Sequence, residues 1–238
     1  MKRTMVTPVV LRSFVLAIAL GAAGQTLAQE TKGPYLSMAP LDQYLISDRN
    51  AEIALARSAA PESISRQAEV RVLGRHGYES AVKGNNGFVC MVLRSWTAGI
   101  DDPDFWNPKL RGPICFNPPA VRSYLPFAVK KTELILGGQS KEQMFESIKI
   151  ALDKKELPTP ESGAMCYMMS KQQYLSDQGG HWHPHLMFFL PPSDARTWGA
   201  DLPGSPILAA DDPQDRLTVF MIPVAKWSDG TTDDPHEH

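Results

Sequence analysis

The stretch FVCMVLRSW, from Phe88 to Trp96, says most about how this chain folds. In an extended strand, alternate side chains point to opposite faces. The two faces of this stretch would carry Phe88, Cys90 and Val92 on one side, and Val89, Met91 and Leu93 on the other. Because both faces are apolar, the stretch predicts a central strand that is covered on both sides.

Five further runs have the composition or alternation that is typical of strands. They are AEVRVLG (68–74), YESAVKG (78–84), AMCYMMS (164–170), HWHPHLMFFL (181–190) and RLTVFMIPVAKW (216–227). Helical signals cover 47–61, 120–136 and 141–155, and Ser140 with Gln143 forms a capping box for the last of these. Strands followed by helices and then by strands predict an α+β fold: a single domain with a largely antiparallel sheet and two to three helices.

A long segment, 97–119, follows the central strand and contains five prolines. A stretch of this length without secondary structure is uncommon in a compact domain unless it is functional or braced by packing. We expect Phe105 and Trp106 to pack down and brace it.

The N-terminus has the pattern of a secretory signal peptide. Basic residues precede the short apolar run SFVLAIALGAAG (13–24), and small residues follow at 26–28. We therefore expect a signal peptide at 1–28, a domain at 29–228 and a disordered polar tail at 229–238. An uncleaved N-terminal anchor is the alternative. Cleavage would give a periplasmic or secreted protein that has no stable membrane insertion, since the rest of the chain lacks a span of about 20 apolar residues.

The charge balance excludes some classes of partner. The formal net charge is −2, and removal of the leader, which is basic and contains no acidic residue, would make it more negative. A basic stripe is absent from the sequence, so nucleic acid is not an expected partner. A small molecule or an envelope protein remains as the expected partner.

The chain has three cysteines, Cys90, Cys115 and Cys166, so one thiol at least is left over in an oxidising compartment. Cys90 and Cys115 close the shortest loop, and the proline-rich surroundings of Cys115 read as exposed connecting chain. We predict a Cys90–Cys115 disulfide and a free Cys166. Buried free thiols are the alternative.

The segment GGHWHPHLMFF (179–189) is the main candidate for chemistry, because it places His181, His183 and His185 at every second position. In a strand, the three side chains would share one face. Neighbours two residues apart lie about 7 Å from each other, whereas His181 and His185 are about 13 Å apart in a straight strand. Two of the three could therefore bind one metal ion, with His183 as the shared member.

A third ligand would come from elsewhere in the fold. The candidates are His76, Glu79, Asp177, and Cys166 with Met168. Imidazole with carboxylate suits zinc, iron or manganese, and imidazole with thiolate or thioether suits copper. The expected cofactor is therefore a divalent metal such as zinc or copper. A polar cluster without metal and a histidine acid–base site are the two alternatives.

These residues support two interpretations of function. In the first, the protein is a metal-dependent enzyme, a hydrolase on a small substrate. The ion lowers the pKa of bound water, and Asp177 or His76 transfers protons. In the second, the protein is a non-catalytic envelope module that binds a small ligand, a metal or another protein.

Four segments carry a resemblance to known sequences: NGFVCMVLRSW (86–96), FWNPKLRGPICFNPP (105–119), YMMSKQQYLSD (167–177) and GHWHPHLMFF (180–189). With them the chain resembles an uncharacterised family of exported bacterial proteins that has no assigned activity. The resemblance extends over most of the mature sequence. It implies export and one compact domain, and it assigns no catalytic residue.

Overall fold

A computed structural model describes residues 34–234, which form one eight-stranded sheet with helices on its faces. The described α-helices are α1 (Arg49–Arg57), α2 (Glu62–Ser65), α3 (Pro118–Ser123), α4 (Leu125–Leu136) and α5 (Lys141–Asp153). The described strands are β1 (Glu69–Gly74), β2 (Gly77–Val82), β3 (Val89–Leu93), β4 (Gly112–Phe116), β5 (Met165–Met168), β6 (His185–Leu190), β7 (Leu208–Asp212) and β8 (Leu217–Pro223). All of them belong to one compact unit.

The strand order is β2-β1-β3-β4-β5-β6-β8-β7, and among the described strands only β1 and β3 pair in parallel. The predicted α+β class and largely antiparallel sheet are confirmed. Five helices are described where two to three were predicted. One reason is that the helix predicted at 120–136 is divided into α3 and α4 at Tyr124, two residues before Pro126, which lacks the backbone N–H that a continuous helix needs.

The central position of β3 is confirmed, but its neighbour β4 was missed. β4 lies inside the predicted proline-rich loop and pairs with β3 along its whole length. A proline inside a strand argues against a central position. Pro113 is tolerated here because β5 pairs only with Cys115 and Phe116, so that Pro113 lies outside the part of β4 that pairs on both sides.

The two faces of the sheet are packed differently. The front face, which carries Met91, Ile114, Cys166 and Phe189, packs against α3 and α4. The back face, which carries Cys90, Val92, Cys115 and Tyr167, packs against α1. Small residues of and just after α1, among them Ala56, let that helix approach the sheet closely. Val89–Leu93 is therefore covered on both sides, as its sequence predicted.

The predicted disulfide joins Cys90 and Cys115, which are directly opposite each other on β3 and β4 with their Cα atoms 4.0 Å apart. Cys166 is free and buried. The expectation that Cys115 lies in exposed connecting chain is wrong, because the residue is fully buried on the back face. The predicted disulfide is therefore confirmed, although only the argument from loop length holds and the argument from exposure does not.

Two buried ion pairs tie the layers together. Arg94, which follows β3, is fully buried and donates to Glu52 of α1 over 2.8 Å. Lys131 of α4 donates over 2.6 Å to Asp215, in the turn between β7 and β8. The first pair fixes the back-face helix to the end of a central strand, and the second fixes the front-face helix to the far edge of the sheet.

The ends of the chain are only partly described. The predicted signal peptide at 1–28 lies outside the described residues. Residues 229–234 were predicted to belong to a disordered tail, but Asp233 donates its backbone N–H to Ala225 over 3.0 Å and Thr231 accepts one from Trp227 over 2.9 Å. That part of the tail is therefore hydrogen-bonded to the domain. Within 34–234, no helix is both long and apolar enough to cross a membrane.

Candidate binding cavity and histidine segment

The histidine segment is not one straight strand. β6 begins at His185, so His181 and His183 lie in the preceding loop. Two carbonyl groups that a longer strand would offer to its neighbours are taken by side chains. The Gln173 amide donates to the Trp182 carbonyl, and Nδ1 of His185 donates to the His183 carbonyl over 2.8 Å. The expected common face of the three histidines is therefore absent.

Each histidine has different surroundings. The His183 ring contacts the Asp233 carboxylate, with Nδ1 and Oδ2 2.6 Å apart. The His181 ring packs edge-on against Trp227, with 5.7 Å between centroids. His185 is 3% exposed, and burial lowers its pKa. In residues 34–234, no group of three or more His, Cys, Asp or Glu side chains is arranged to hold a metal ion. The arrangement expected of His181, His183 and His185 as shared ligands is thus not what the structure has.

Asp177, a predicted proton-transfer residue, is saturated with hydrogen bonds. It accepts from the hydroxyls of Tyr174 and Tyr35 over 2.5 Å each, from Asn107 over 3.2 Å and from Lys109 over 3.4 Å. The hydroxyl of Tyr174 is the main reason that the pKa of Asp177 lies far below its ordinary value. Such a carboxylate is a weak base. Asp177 thereby connects the chain at Tyr35 with the proline-rich loop and with the loop after β5.

His76, the other predicted proton-transfer residue, is distant from the histidine segment. It is exposed in the turn between β1 and β2. Four strand spacings separate β1 from β6. At about 4.8 Å each they amount to roughly 19 Å. His76 therefore does not form a common site with the histidines.

The structure has instead a cavity of about 570 Å³ on the front face. Its floor is formed by side chains of β5, β6, β8 and β7, and the strand register places them all on that face. The floor residues are Met168, His185, Met187, Met221, Val219 and Ala210. Helices α3 and α4 lie over β4, β5 and β2, so the cavity occupies the part of the front face beside them.

One wall of the cavity comes from the chain after β3, which includes Ser95, Gly99 and Asp102. Side chains on the far side of this wall form hydrogen bonds that hold it in place. The Trp96 indole N–H donates to Thr132 of α4 over 3.0 Å, and the Lys141 ammonium donates to a backbone carbonyl of the same loop over 2.8 Å. As predicted, Phe105 and Trp106 are buried and brace the loop. The loop is therefore a fixed wall.

The opposite wall is the loop that leads into β6, from Leu175 to Trp182. A tight turn brings its ends together: Gly180 donates to the Ser176 carbonyl over 2.9 Å and has a φ of +65°, which glycine adopts without strain. The Trp182 ring lies 4.7 Å from the His185 ring, centroid to centroid. The predicted histidine segment thus forms a wall and part of the floor of the cavity.

Few polar groups face this cavity. With its Nδ1 hydrogen donated to a carbonyl, neutral His185 has its lone pair on Nε2. The Ser95 hydroxyl is buried and has no hydrogen-bond partner among the described residues. Burial raises the pKa of Asp102. Arg94 also borders the cavity, but its guanidinium is used by Glu52 and two backbone carbonyls.

Sequence reasoning found some of these residues and missed others. It singled out His185 and Met168, but as parts of a metal site with different partners. It missed Met187, Met221 and Ser95, because nothing in the local sequence distinguishes a strand methionine that faces a cavity from one in the core. To find these residues, the pairing of β6 with β8 must be known. Local sequence patterns do not reveal that pairing, because the two strands are far apart in the sequence.

Comparisons with known proteins found no matching family model, no matching curated protein and no matching solved structure.

Proposed function

We propose that this chain is an exported, non-catalytic binding protein whose front-face cavity takes a small and mainly apolar molecule. The cavity itself is the observation that supports the proposal. Its volume of about 570 Å³ lies within the range of about 300–1,000 Å³ that is usual for small-molecule sites. An apolar floor with few polar groups is also typical of such sites.

The chemistry of the lining favours an adaptable fit. Three methionines form much of the floor, namely Met168, Met187 and Met221. Methionine side chains are flexible and polarisable, and they are common on surfaces that accept ligands of several shapes. Nε2 of His185 would orient a single polar group of the ligand.

The binding interpretation is favoured over a metal-dependent hydrolase because the two predicted proton-transfer residues are poorly suited to that role. Asp177 is a weak base that already accepts four hydrogen bonds, and His76 lies across the sheet. Export is supported by the predicted signal peptide and by the Cys90–Cys115 disulfide, since disulfides persist in oxidising compartments. The proposed location is the periplasm or the exterior.

Fluorescence titration with the neutral apolar probe N-phenyl-1-naphthylamine tests this proposal. The parent protein should bind one probe saturably. Ala210→Trp should weaken that binding by at least about tenfold, equivalent to about 1.4 kcal/mol, because Ala210 is an exposed residue at the edge of the cavity and the indole would fill its entrance.

The matched control is Ala209→Trp, since Ala209 lies on the same strand but on the back face. It should bind the probe as the parent does, and thermal unfolding should show that both variants fold. Absence of saturable binding by the parent, or equal binding by the two variants, would contradict the proposal.

A further inference from the structure

Four soft or borderline ligand groups lie on the cavity floor, and the cross-strand pairs among them join residues that are far apart in sequence. Met187 of β6 is directly opposite Met221 of β8, and His185 of β6 is directly opposite Met168 of β5. All four side chains line the cavity. Thioether and imidazole are ligands that suit monovalent copper.

The spacing of these residues allows convergence on one ion. Directly opposite residues have Cβ atoms about 4.5–5.5 Å apart, and diagonal neighbours on adjacent strands are about 7–8 Å apart. Residues two apart on one strand, such as His185 and Met187, are about 7 Å apart. Met187, Met221 and His185 therefore form a compact triangle, and the long methionine side chains can meet above its centre.

His185 has the second contact that metal-binding histidines usually make. Its Nδ1 donates to the His183 carbonyl over 2.8 Å, which fixes the ring and leaves Nε2 with the lone pair. The Trp182 ring packs against the imidazole at 4.7 Å and also lines the cavity. An aromatic ring in this position can cover a bound cation through its π face.

We propose that His185 Nε2 and the thioether sulfurs of Met187 and Met221 bind one Cu(I) ion on the cavity floor, with Met168 within reach as a fourth ligand. The site goes beyond the proposed function, because it takes a soft metal ion rather than an apolar molecule. One nitrogen and two or three sulfur donors select a soft monovalent cation and disfavour magnesium or calcium.

Cys166 lies beside this set but outside it. It is opposite Met187 in the register, yet it is fully buried and does not line the cavity. The proposed site therefore uses thioethers and not a thiolate, which gives the experiment a clear alternative.

The test is anaerobic competition for Cu(I) between the untagged protein and bicinchoninate. The parent should withdraw one Cu(I) per chain, and X-ray absorption should show sulfur and nitrogen neighbours. The double variant Met187→Leu/Met221→Leu keeps the apolar volume and removes both sulfurs. It should lose at least about 100-fold in Cu(I) affinity, since even residues that only orient a ligand are worth about 10–100-fold.

Two matched controls accompany the double variant. Met91→Leu changes a buried methionine of β3 on the same face that does not line the cavity, and it should leave Cu(I) affinity unchanged. Cys166→Ala should also bind Cu(I) as the parent does. Circular dichroism of each variant without copper would verify its fold.

Three results would overturn the Cu(I) site: no withdrawal of Cu(I) by the parent, parent-like affinity in the double leucine variant, or loss of binding in Cys166→Ala. Failure here is separable from failure of the proposed function. Leucine keeps the floor apolar, so the double variant should still bind N-phenyl-1-naphthylamine even when it no longer binds Cu(I).

Discussion

The two halves of the sheet are built differently. In the half formed by β2, β1, β3 and β4, strands β3 and β4 are covered on both faces, and β4 is buried at all five of its positions. In the half formed by β5, β6, β8 and β7, burial is incomplete, and β7 has no fully buried residue. The first half holds the disulfide and the Arg94–Glu52 ion pair, whereas the second half forms the floor of the cavity.

This difference indicates a division of roles. Regions with many buried contacts unfold last, while regions that bind ligands are drawn from the less stable parts of a protein. We expect substitutions in the first half to lower the free energy of unfolding strongly. Conservative substitutions on the cavity floor should change binding with little effect on stability.

The largest effect should follow from Glu52→Ala. Glu52 is 1% exposed and accepts hydrogen bonds from Arg94 and from the backbone N–H of Leu73. Its removal leaves a fully buried guanidinium without its counter-charge, which typically costs about 3–5 kcal/mol. Urea unfolding would measure the loss.

Glu79→Ala is the matched control for that substitution. Glu79 forms an ion pair with Arg49 in which both side chains are at least half exposed, and such pairs contribute at most about 1 kcal/mol. If the two substitutions lowered the free energy of unfolding equally, the proposed difference between buried and exposed pairs would be wrong.

The disulfide should come second. It joins cysteines that are 25 residues apart, and closing a loop of this length destabilises the unfolded chain by about 3.5 kcal/mol. Cys90→Ala/Cys115→Ala should lower the free energy of unfolding by that amount or slightly more. Cys166 takes part in no cross-link, and Cys166→Ala removes only one buried sulfur. This substitution should therefore lower the free energy of unfolding by about 1 kcal/mol. A double variant as stable as the parent would show that the bridge contributes little.

The stable half was also the more predictable from the sequence. Phe88–Trp96 is apolar on both faces, and that pattern alone places it in the interior of a sheet. The Cys90–Cys115 pairing followed from loop length. β4 escaped detection because Pro113 and the surrounding prolines gave it the composition of a loop, and only its pairing with β3 makes it a strand.

The binding half was predicted less well, for two physical reasons. The strand predicted at 181–190 begins only at His185, because the side chains of Gln173 and His185 capture two backbone carbonyl groups before it. The alternation of side chains along the sequence cannot reveal that side chains form hydrogen bonds to these carbonyl groups. The pairing of Met187 with Met221 depends on the register between β6 and β8, and these two residues are 34 positions apart in the sequence. Local sequence patterns therefore do not predict that register.

The smallest expected effect concerns Asp102, on the wall of the cavity. Burial raises its pKa in the folded state, so the charged form is disfavoured there relative to the unfolded chain. This contribution to stability is therefore fully favourable below the unfolded pKa of about 3.9, and it is lost as pH rises through the folded pKa. Asp102→Asn keeps an oxygen that can accept from the Asp104 N–H, as Asp102 does over 2.7 Å, but it cannot ionise.

The stability of Asp102→Asn relative to the parent should consequently increase as the pH is raised from about 3 to about 6, by less than about 1 kcal/mol because the residue is only partly buried. Urea unfolding at several pH values would measure the change. Asp101→Asn, which alters the exposed neighbour, should leave the free energy of unfolding unchanged. A flat difference for Asp102→Asn would mean that water reaches this carboxyl freely, and the wall would then be more open than its burial indicates. A rising difference would show that the cavity excludes water on its loop side, which an apolar ligand requires.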